Sequence, residues 1–258
     1  VTRPSRAWPA AALAIPWLAI LAPAEAAAQA SFSLGGESDY RVRGVSLSNG
    51  RPVARAGVAY DHRSGLYGGA TALVGTRAGG GLRALGGVGY VGVARRLGSG
   101  LTTDFGVTST RISSDVMATA PGYEGPYGYV PPIRYRRSYR ADYSEVYAGL
   151  SRDNVSIHLY LSPNYLRPGQ GTAYVDVNAA IRPAPRVRVF GHAGVLAPLE
   201  RETADRLRSR ADLRLGVAWE FDHAEVQLAW TSVTRRVEYP RGYARSRDAV
   251  VLSASAYF

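Results

Sequence analysis

Between Asp248 and Phe258 the chain alternates: Val250, Leu252, Ala254, Ala256 and Phe258 fall on one parity, Ser253, Ser255 and Tyr257 on the other. A period of two marks a strand with one apolar and one polar face. The pattern recurs upstream. Val226, Leu228 and Trp230 oppose Glu225, Gln227 and Thr231, and Leu213, Leu215, Val217, Trp219 and Phe221 oppose Asp212, Arg214 and Glu220. Val187, Val189 and Val195 oppose Arg186, Arg188 and His192; Val175, Val177 and Ile181 oppose Tyr174, Asp176 and Asn178. Val155, Ile157 and Leu159 oppose Ser156, His158 and Tyr160, while Val146 and Leu150 oppose Tyr143, Glu145 and Tyr147. In the amino-terminal half, Phe105 and Val107 oppose Asp104 and Thr108, and Ala54, Val58 and Tyr60 oppose Arg55. Residues 66–77 and 83–97 read as strands too glycine-rich for parity to assign a face. The first strand is predicted over 31–44, with Phe32, Leu34, Tyr40 and Val42 on the apolar face and Glu37, Asp39, Arg41 and Arg43 on the polar one. The count is about twelve strands, all of one kind.

The connections carry an alternation of their own. Links at 61–65, 97–100, 152–154, 182–185 and 222–223 are tight, and those at 47–51, 78–82, 113–140, 165–170, 200–208 and 238–246 are longer or looser. An antiparallel barrel crossing an outer membrane keeps short turns on one side and long loops on the other. The predicted fold is therefore all-β, a single antiparallel transmembrane barrel over residues 31–258. In lipid only a helix or a closed barrel satisfies its own backbone, and no stretch after residue 30 has the length of a spanning helix.

Residues 1–30 have the three parts of a secretory signal: Arg3 and Arg6, an apolar run from Trp8 interrupted by prolines, and small residues ending in Ala28-Gln29-Ala30. The outer membrane of a Gram-negative bacterium is the expected destination. The chain has no Cys, which excludes disulfide scaffolds and thiol chemistry. Its formal net charge of +11 comes from arginine alone. Nucleic-acid binders cluster such charge on one face or tail; here the arginines recur singly between apolar positions, so no nucleic-acid partner is expected. With 17 Tyr against 5 Phe, the aromatic content suits positions that are apolar on one side and wet on the other, as in membrane-interface girdles.

An apolar face ending on a terminal Phe258 resembles the closing strand of bacterial outer-membrane barrels, whose last aromatic is read by the barrel-assembly machinery. SDYRVRGVS at Ser38–Ser46, a second strand with Gly57 and Tyr60, and HRSGLYGGA at His62–Ala70 resemble the start of the TorF-type porin family of Gram-negative outer-membrane proteins. That resemblance implies a signal peptide and one barrel, and brings no defined substrate. Val42 stands where such proteins often carry Phe.

The inward parity collects ionised groups of both signs: Asp39, Arg41, Arg43, Arg55, Asp104, Glu145, Asp176, Arg188, Asp212, Arg214, Glu220 and Glu225 are the predicted lumen-lining residues. Hydrated, they line a channel; paired across the lumen, they plug it. Twelve strands lie between barrels filled by side chains and open 16-stranded porins, so size does not decide. The Pro- and Gly-rich connection 113–140 is predicted to be irregular. Its Tyr127, Arg134, Arg136, Arg137 and Arg140 suit lipopolysaccharide phosphates, or a constriction folded into the mouth. Gly87 to Gly92 matches the dinucleotide-binding glycine pattern, but no helix follows, so the glycines read as places of close approach within a strand. His62 and His223 fall at turns and His158 and His192 face the lumen, with no outward Ser–His pair for lipid hydrolysis. No enzyme activity, metal or cofactor is expected.

The function expected is a narrow passive channel for small polar or anionic solutes, the anion preference resting on Arg41, Arg43 and Arg55. The alternatives are a closed structural or interaction barrel that meets lipopolysaccharide or a partner through 113–140, and a lipid hydrolase. Export predicts cleavage after Ala30: amino-terminal sequencing of the membrane-extracted protein should begin at Ser31, and an intact 1–30 segment would contradict it.

Overall fold

In a computed structural model the described residues are 29–98, 100–126, 128–166, 169–200, 208–234 and 246–258. The predicted signal segment lies outside them up to residue 28. Twelve strands form a closed antiparallel barrel: β1 (Gln29–Glu37), β2 (Val53–Asp61), β3 (Leu66–Thr76), β4 (Leu82–Arg96), β5 (Thr102–Ala120), β6 (Ile133–Arg152), β7 (Val155–Ser162), β8 (Thr172–Ala184), β9 (Val187–Pro198), β10 (Arg210–Glu220), β11 (Ala224–Val233) and β12 (Ala249–Tyr257). Each pairs with its neighbours in sequence, and β1 closes the ring by pairing with both β2 and β12. At the seam, the Phe32 amide donates to the Phe258 carbonyl at 3.1 Å and the Phe258 amide to Phe32 at 2.9 Å. The two rings lie 6.1 Å apart.

Closure removes the edges of the barrel wall, and the faces sort as parity predicts. Leu215, Val217, Leu228, Val250 and Leu252 are exposed on the outside, whereas Asp212, Gln227, Thr231, Ser253 and Ser255 are buried inside. This is the inverse of a soluble domain. Phe221, Phe258, Tyr60 and Trp219 lie exposed toward the end that carries the short turns, the position of an aromatic girdle. Other tyrosines go elsewhere. Tyr67, Tyr143, Tyr147, Tyr160, Tyr165 and Tyr174 are buried in the lumen, so the girdle expectation accounts for only part of the Tyr excess. The glycines of the 87–92 stretch lie inside β4, as expected. A side chain at Gly92 would run into the Tyr67 ring, and one at Gly194 into that of Tyr174; missing Cβ atoms let inward rings lie flat across neighbouring strands.

Two predicted elements are corrected. The first strand ends at Glu37 rather than Gly44. Residues 38–52 turn inward, and Tyr40 and Val42, expected to face lipid, are buried inside the barrel. The connection 113–140 is not irregular either. β5 and β6 stay paired from Ser151↔Thr102 out to Ile133↔Ala120, beyond the part of β5 that pairs with β4, which stops at Gly86↔Ile112. A two-stranded arm therefore stands past the rim, tipped by a short ladder of Tyr123–Gly125 with Gly128–Val130. The prolines that suggested an irregular connection fall at 121, 126, 131 and 132, at its turn rather than along its strands.

Outward facing makes substitutions depend on depth. Leu228→Arg should cost about 2–4 kcal/mol near the midplane, and Phe221→Arg at the rim about 0–1 kcal/mol. Reversible urea unfolding in lipid measures both, and equal costs would contradict the assigned outer face.

Candidate functional site

The inward segment 38–52 is a self-contained plug. Asp39 organises it: Oδ1 accepts from Ser46 Oγ at 2.5 Å, Ser48 Oγ at 3.0 Å and the Gly50 amide at 3.2 Å, and Oδ2 accepts from Arg41 Nε at 2.6 Å. The Tyr40 amide donates to Ser48 Oγ at 2.9 Å. A two-residue hairpin pairs Arg41–Val42 with Val45–Ser46. Its central residues Arg43 and Gly44 both have positive φ, 50° and 74°, the geometry of a type I′ turn. Gly44 meets that demand without cost and packs so tightly on the wall that a Cβ there would lie 2.8 Å from that of Val233. Arg43 is strained by about 1–3 kcal/mol, and its turn position puts it at the tip of the hairpin.

Arg43 is 3 % exposed. Its two terminal nitrogens donate to Glu145 Oε1 at 2.9 Å and Oε2 at 2.7 Å, a bidentate pair from the plug tip to the β6 wall. The guanidinium carbon also lies 4.0 Å from the ring centre of Tyr174, 5.1 Å from Tyr165 and 5.4 Å from Tyr160. Burial of two charges is costly, so the pair adds little against an apolar packing, but breaking it by removing one partner costs about 3–5 kcal/mol. That exceeds the backbone strain at Arg43. The latch wins, and the plug is held in register.

A second latch joins the plug to the arm. Asp115, fully buried on the extended part of β5, accepts from Arg51 Nη2 at 3.0 Å and from the Ala78 amide at 3.2 Å. Arg83 and Arg136 approach the same carboxylate at 3.9 and 3.6 Å. Across the arm, Tyr139 Oη donates to the Leu47 carbonyl at 2.8 Å. The arm thus covers the plug from the end that carries the long connections. Arg134, Arg137 and Arg140 of the arm are exposed, and Tyr127 lies outside the described residues.

Below the plug the wall is polar. His158 Nε2 lies 3.6 Å from Asp104 Oδ1, and its Nδ1 lies 3.6 Å from Asp176 Oδ1. His192 bridges Asn178 Oδ1 at 2.6 Å and Asp212 Oδ1 at 3.0 Å, with Tyr174 Oη 2.9 Å from its Nε2. Toward the short-turn end, Arg188 pairs with Glu220 at 2.7 Å and with Glu225. On the opposite wall Arg55 Nη2 donates to Ser255 Oγ at 2.5 Å. Arg55 Nε, Arg214 Nε and Nη2, Glu37 Oε1, Ser253 Oγ and both His158 ring nitrogens find no hydrogen-bond partner among the described residues. Among the described residues no His/Cys/Asp/Glu group could hold a metal ion. His62 Nδ1 meets Ser64 Oγ at 2.8 Å, but this contact closes its own exposed turn, and Tyr60 stacks beside the ring.

The predicted lumen-lining residues do not share one role. Asp104, Glu145, Asp176, Arg55, Arg188, Asp212, Arg214 and Glu220 belong to the wall. Asp39, Arg41 and Arg43 belong to the plug, and Arg41 and Arg43, on which the expected anion preference rested, are each paired with a carboxylate. Sequence reasoning missed Tyr139, Tyr160, Tyr165, Tyr174, Arg51 and Asp115 as latch residues. The Asp39, Ser46, Ser48, Gly50 series was the available signal: four turn-forming polar residues do not suit a strand.

Such a barrel, apolar outside and ionised within, belongs to the outer-membrane porin class of folds. The NanC porin is similar at a TM-score of 0.53, with 8 % identity over 89 % of this chain and 100 % of that one. Salmonella typhi OmpF, solved in complex with daunomycin, aligns over 90 % of this chain and 97 % of its own at 12 % identity and a TM-score of 0.42. The Pseudomonas putida toluene transporter TodX aligns over 88 % of each at 10 % identity and 0.42. The chain belongs to the Gcw_chp family, described as bacterial proteins of unknown function, whose model matches residues 22–254. No curated protein matches it. The segment Ser38–Ser46, whose sequence suggested a wall strand, is the plug hairpin.

Glu145→Ala leaves a buried guanidinium without its carboxylate, and releasing the plug is the cheapest relief. Trypsin should then cut after Arg41 or Arg43, protected in the wild type, while the barrel keeps its heat-modifiable migration on gels. Continued protection would contradict the latch.

Proposed function

We propose that this protein is an outer-membrane channel of narrow bore, porin-like as its TorF-type resemblance implies, that is shut at rest by the 38–52 plug and passes small polar solutes when the plug is displaced. The observation that carries this reading is the set of buried wall atoms around and below the plug that find no hydrogen bond among the described residues, on Arg55, Arg214, Glu37, His158 and Ser253. A buried polar group costs free energy unless hydrogen-bonded, so these atoms require water. A barrel built only as a solid post has no use for a hydrated wall. The plug is also a local unit, tied internally through Asp39 and to the barrel through two ion-pair latches, which allows it to leave without unzipping a strand.

The wall argues for a revised selectivity. Glu37, Asp104, Glu145, Asp176 and Asp212 face Arg55 and Arg214 across the same section, while Arg188 is neutralised by Glu220 and Glu225. With the plug out, Asp39, Arg41 and Arg43 leave, and the five carboxylates outnumber Arg55, Arg214 and the buried Arg210, so the open lumen favours cations. A low-dielectric wall focuses that charge. The passive-channel reading needs no catalytic group, and the arm's exposed Arg134, Arg137 and Arg140 fit contact with lipopolysaccharide phosphate.

A closed interaction barrel is the second reading, favoured by how completely Arg43 and its tyrosines fill the bore. Planar-bilayer recording separates the two. The full barrel should show rare openings, and deletion of residues 39–50 should give long-lived steps that pass potassium over chloride in a salt gradient. Glu145→Gln with Asp212→Asn in the deleted form should reduce that preference. A deleted barrel that folds and never conducts would support the closed barrel instead.

A further inference from the structure

The pocket that holds Arg43 is made without any help from the plug. Glu145 comes from β6, Tyr160 from β7, Tyr174 from β8, and Tyr165 from the link that follows β7. The three tyrosines are positioned by other wall groups, and Glu145 is placed by its strand. Tyr174 Oη lies 3.2 Å from Asp212 Oδ2 and 2.9 Å from His192 Nε2. Tyr165 Oη accepts from Arg210 Nη2 at 3.0 Å, and its amide donates to the Gln170 carbonyl at 2.9 Å. Tyr160 packs between Tyr147 and Tyr174, with ring centres 5.6 and 6.0 Å away. Withdrawal of Arg43 therefore removes the occupant and leaves the three rings held around a Glu145 carboxylate that needs a new cation.

The chemistry of the cage is selective. A carboxylate that accepts two parallel N–H groups matches a planar guanidinium and not an ammonium, and the ring 4.0 Å away offers its face to the same plane. Arg43 Nε makes no hydrogen bond in the cage, so recognition uses only the free end of the group and tolerates an alkyl substituent on the third nitrogen. We infer that the lumen contains a binding site for alkylguanidinium cations, formed by Glu145, Tyr160, Tyr165 and Tyr174, which the chain's own Arg43 occupies at rest. A solute carrying an arginine-like head competes with the plug for this site. Entry of that solute into the intact chain rests on the gated-channel reading; the existence of the site does not.

Methylguanidinium is the probe, titrated by calorimetry into the refolded full chain at fixed ionic strength, with methylammonium as control. Arg43→Gly empties the cage and suits the positive φ of its turn position. This variant should bind methylguanidinium at one site, at least about tenfold more tightly than methylammonium, as bidentate pairing requires. Adding Glu145→Gln should abolish the difference, and the wild type should bind far more weakly because its site is filled. Should Arg43→Gly fail to fold, Arg43→Lys keeps a cation in the cage without the paired N–H groups and should bind the probe more tightly than wild type. A folded Arg43→Gly or Arg43→Lys chain that binds methylguanidinium no better than wild type, or binding that survives Glu145→Gln unchanged, overturns the inference. Calorimetry reads the cage whether or not the barrel conducts, so failure of the channel reading appears separately, as binding without conductance.

Discussion

Closing twelve strands on themselves pairs the backbone around the ring and leaves the barrel no edge, but it also creates an interior that half of the wall side chains must face. The rest of the structure follows from how that interior is filled. Apolar filling would oppose the requirement that the outside be apolar too, since a chain apolar on both parities of every strand has nothing to fix its register. Polar filling fixes register but needs partners. This chain meets the need with large rings that are apolar in body and polar at the tip. Tyr67 and Tyr147 share a hydroxyl contact of 2.5 Å, and Tyr174 reaches Asp212 and His192. Glycines on adjacent strands make room for these rings.

The plug completes the filling in a way the wall cannot undo by itself. Its apolar residues Tyr40, Val42 and Leu47 join the tyrosine core, and its one deeply inserted charge, Arg43, is matched by one carboxylate on a single wall strand. A buried ion pair is weak as a source of stability and strong as a selector of position, which is what a removable stopper requires. The arm formed by β5 and β6 adds a second point of hold through Asp115 and Tyr139. Both latches lie in the half of the barrel nearer the long connections, while the Arg188, Glu220 and Glu225 cluster sits near the short turns.

Much of this fold was legible in the sequence because the wall obeys period two almost without interruption. Leu213 to Phe221 and Val250 to Phe258 reveal their facing residue by residue, and the parity of link lengths reveals the barrel's two ends. The plug was hidden by the same rule. Tyr40 and Val42 alternate with Asp39, Arg41 and Arg43 as a wall strand would, and parity cannot distinguish lipid from a lumenal core when both are apolar. The turn itself was masked because Arg43 occupies a left-handed position that Gly or Asn usually fills. The arm was misread for the opposite reason: prolines at its tip outweighed the alternation of Tyr135, Arg137 and Tyr139 with Arg134, Arg136 and Ser138 along its strand. Lumenal pairing across the bore, such as Arg43 with Glu145, joins residues 102 positions apart and leaves no local signal.

The central claim is that the segment 38–52 sits inside the barrel, shielded from water at rest. A chain without cysteine allows this to be read at single positions. Leu47→Cys places a thiol in the buried part of the plug, and Glu124→Cys places one at the exposed tip of the arm on the same side. The measurement is the rate at which a membrane-impermeant maleimide labels each in the refolded, bilayer-embedded protein. The account predicts rapid labelling at 124 and strong protection at 47; equal rates at the two positions would show that the segment lies outside the lumen, and would contradict it.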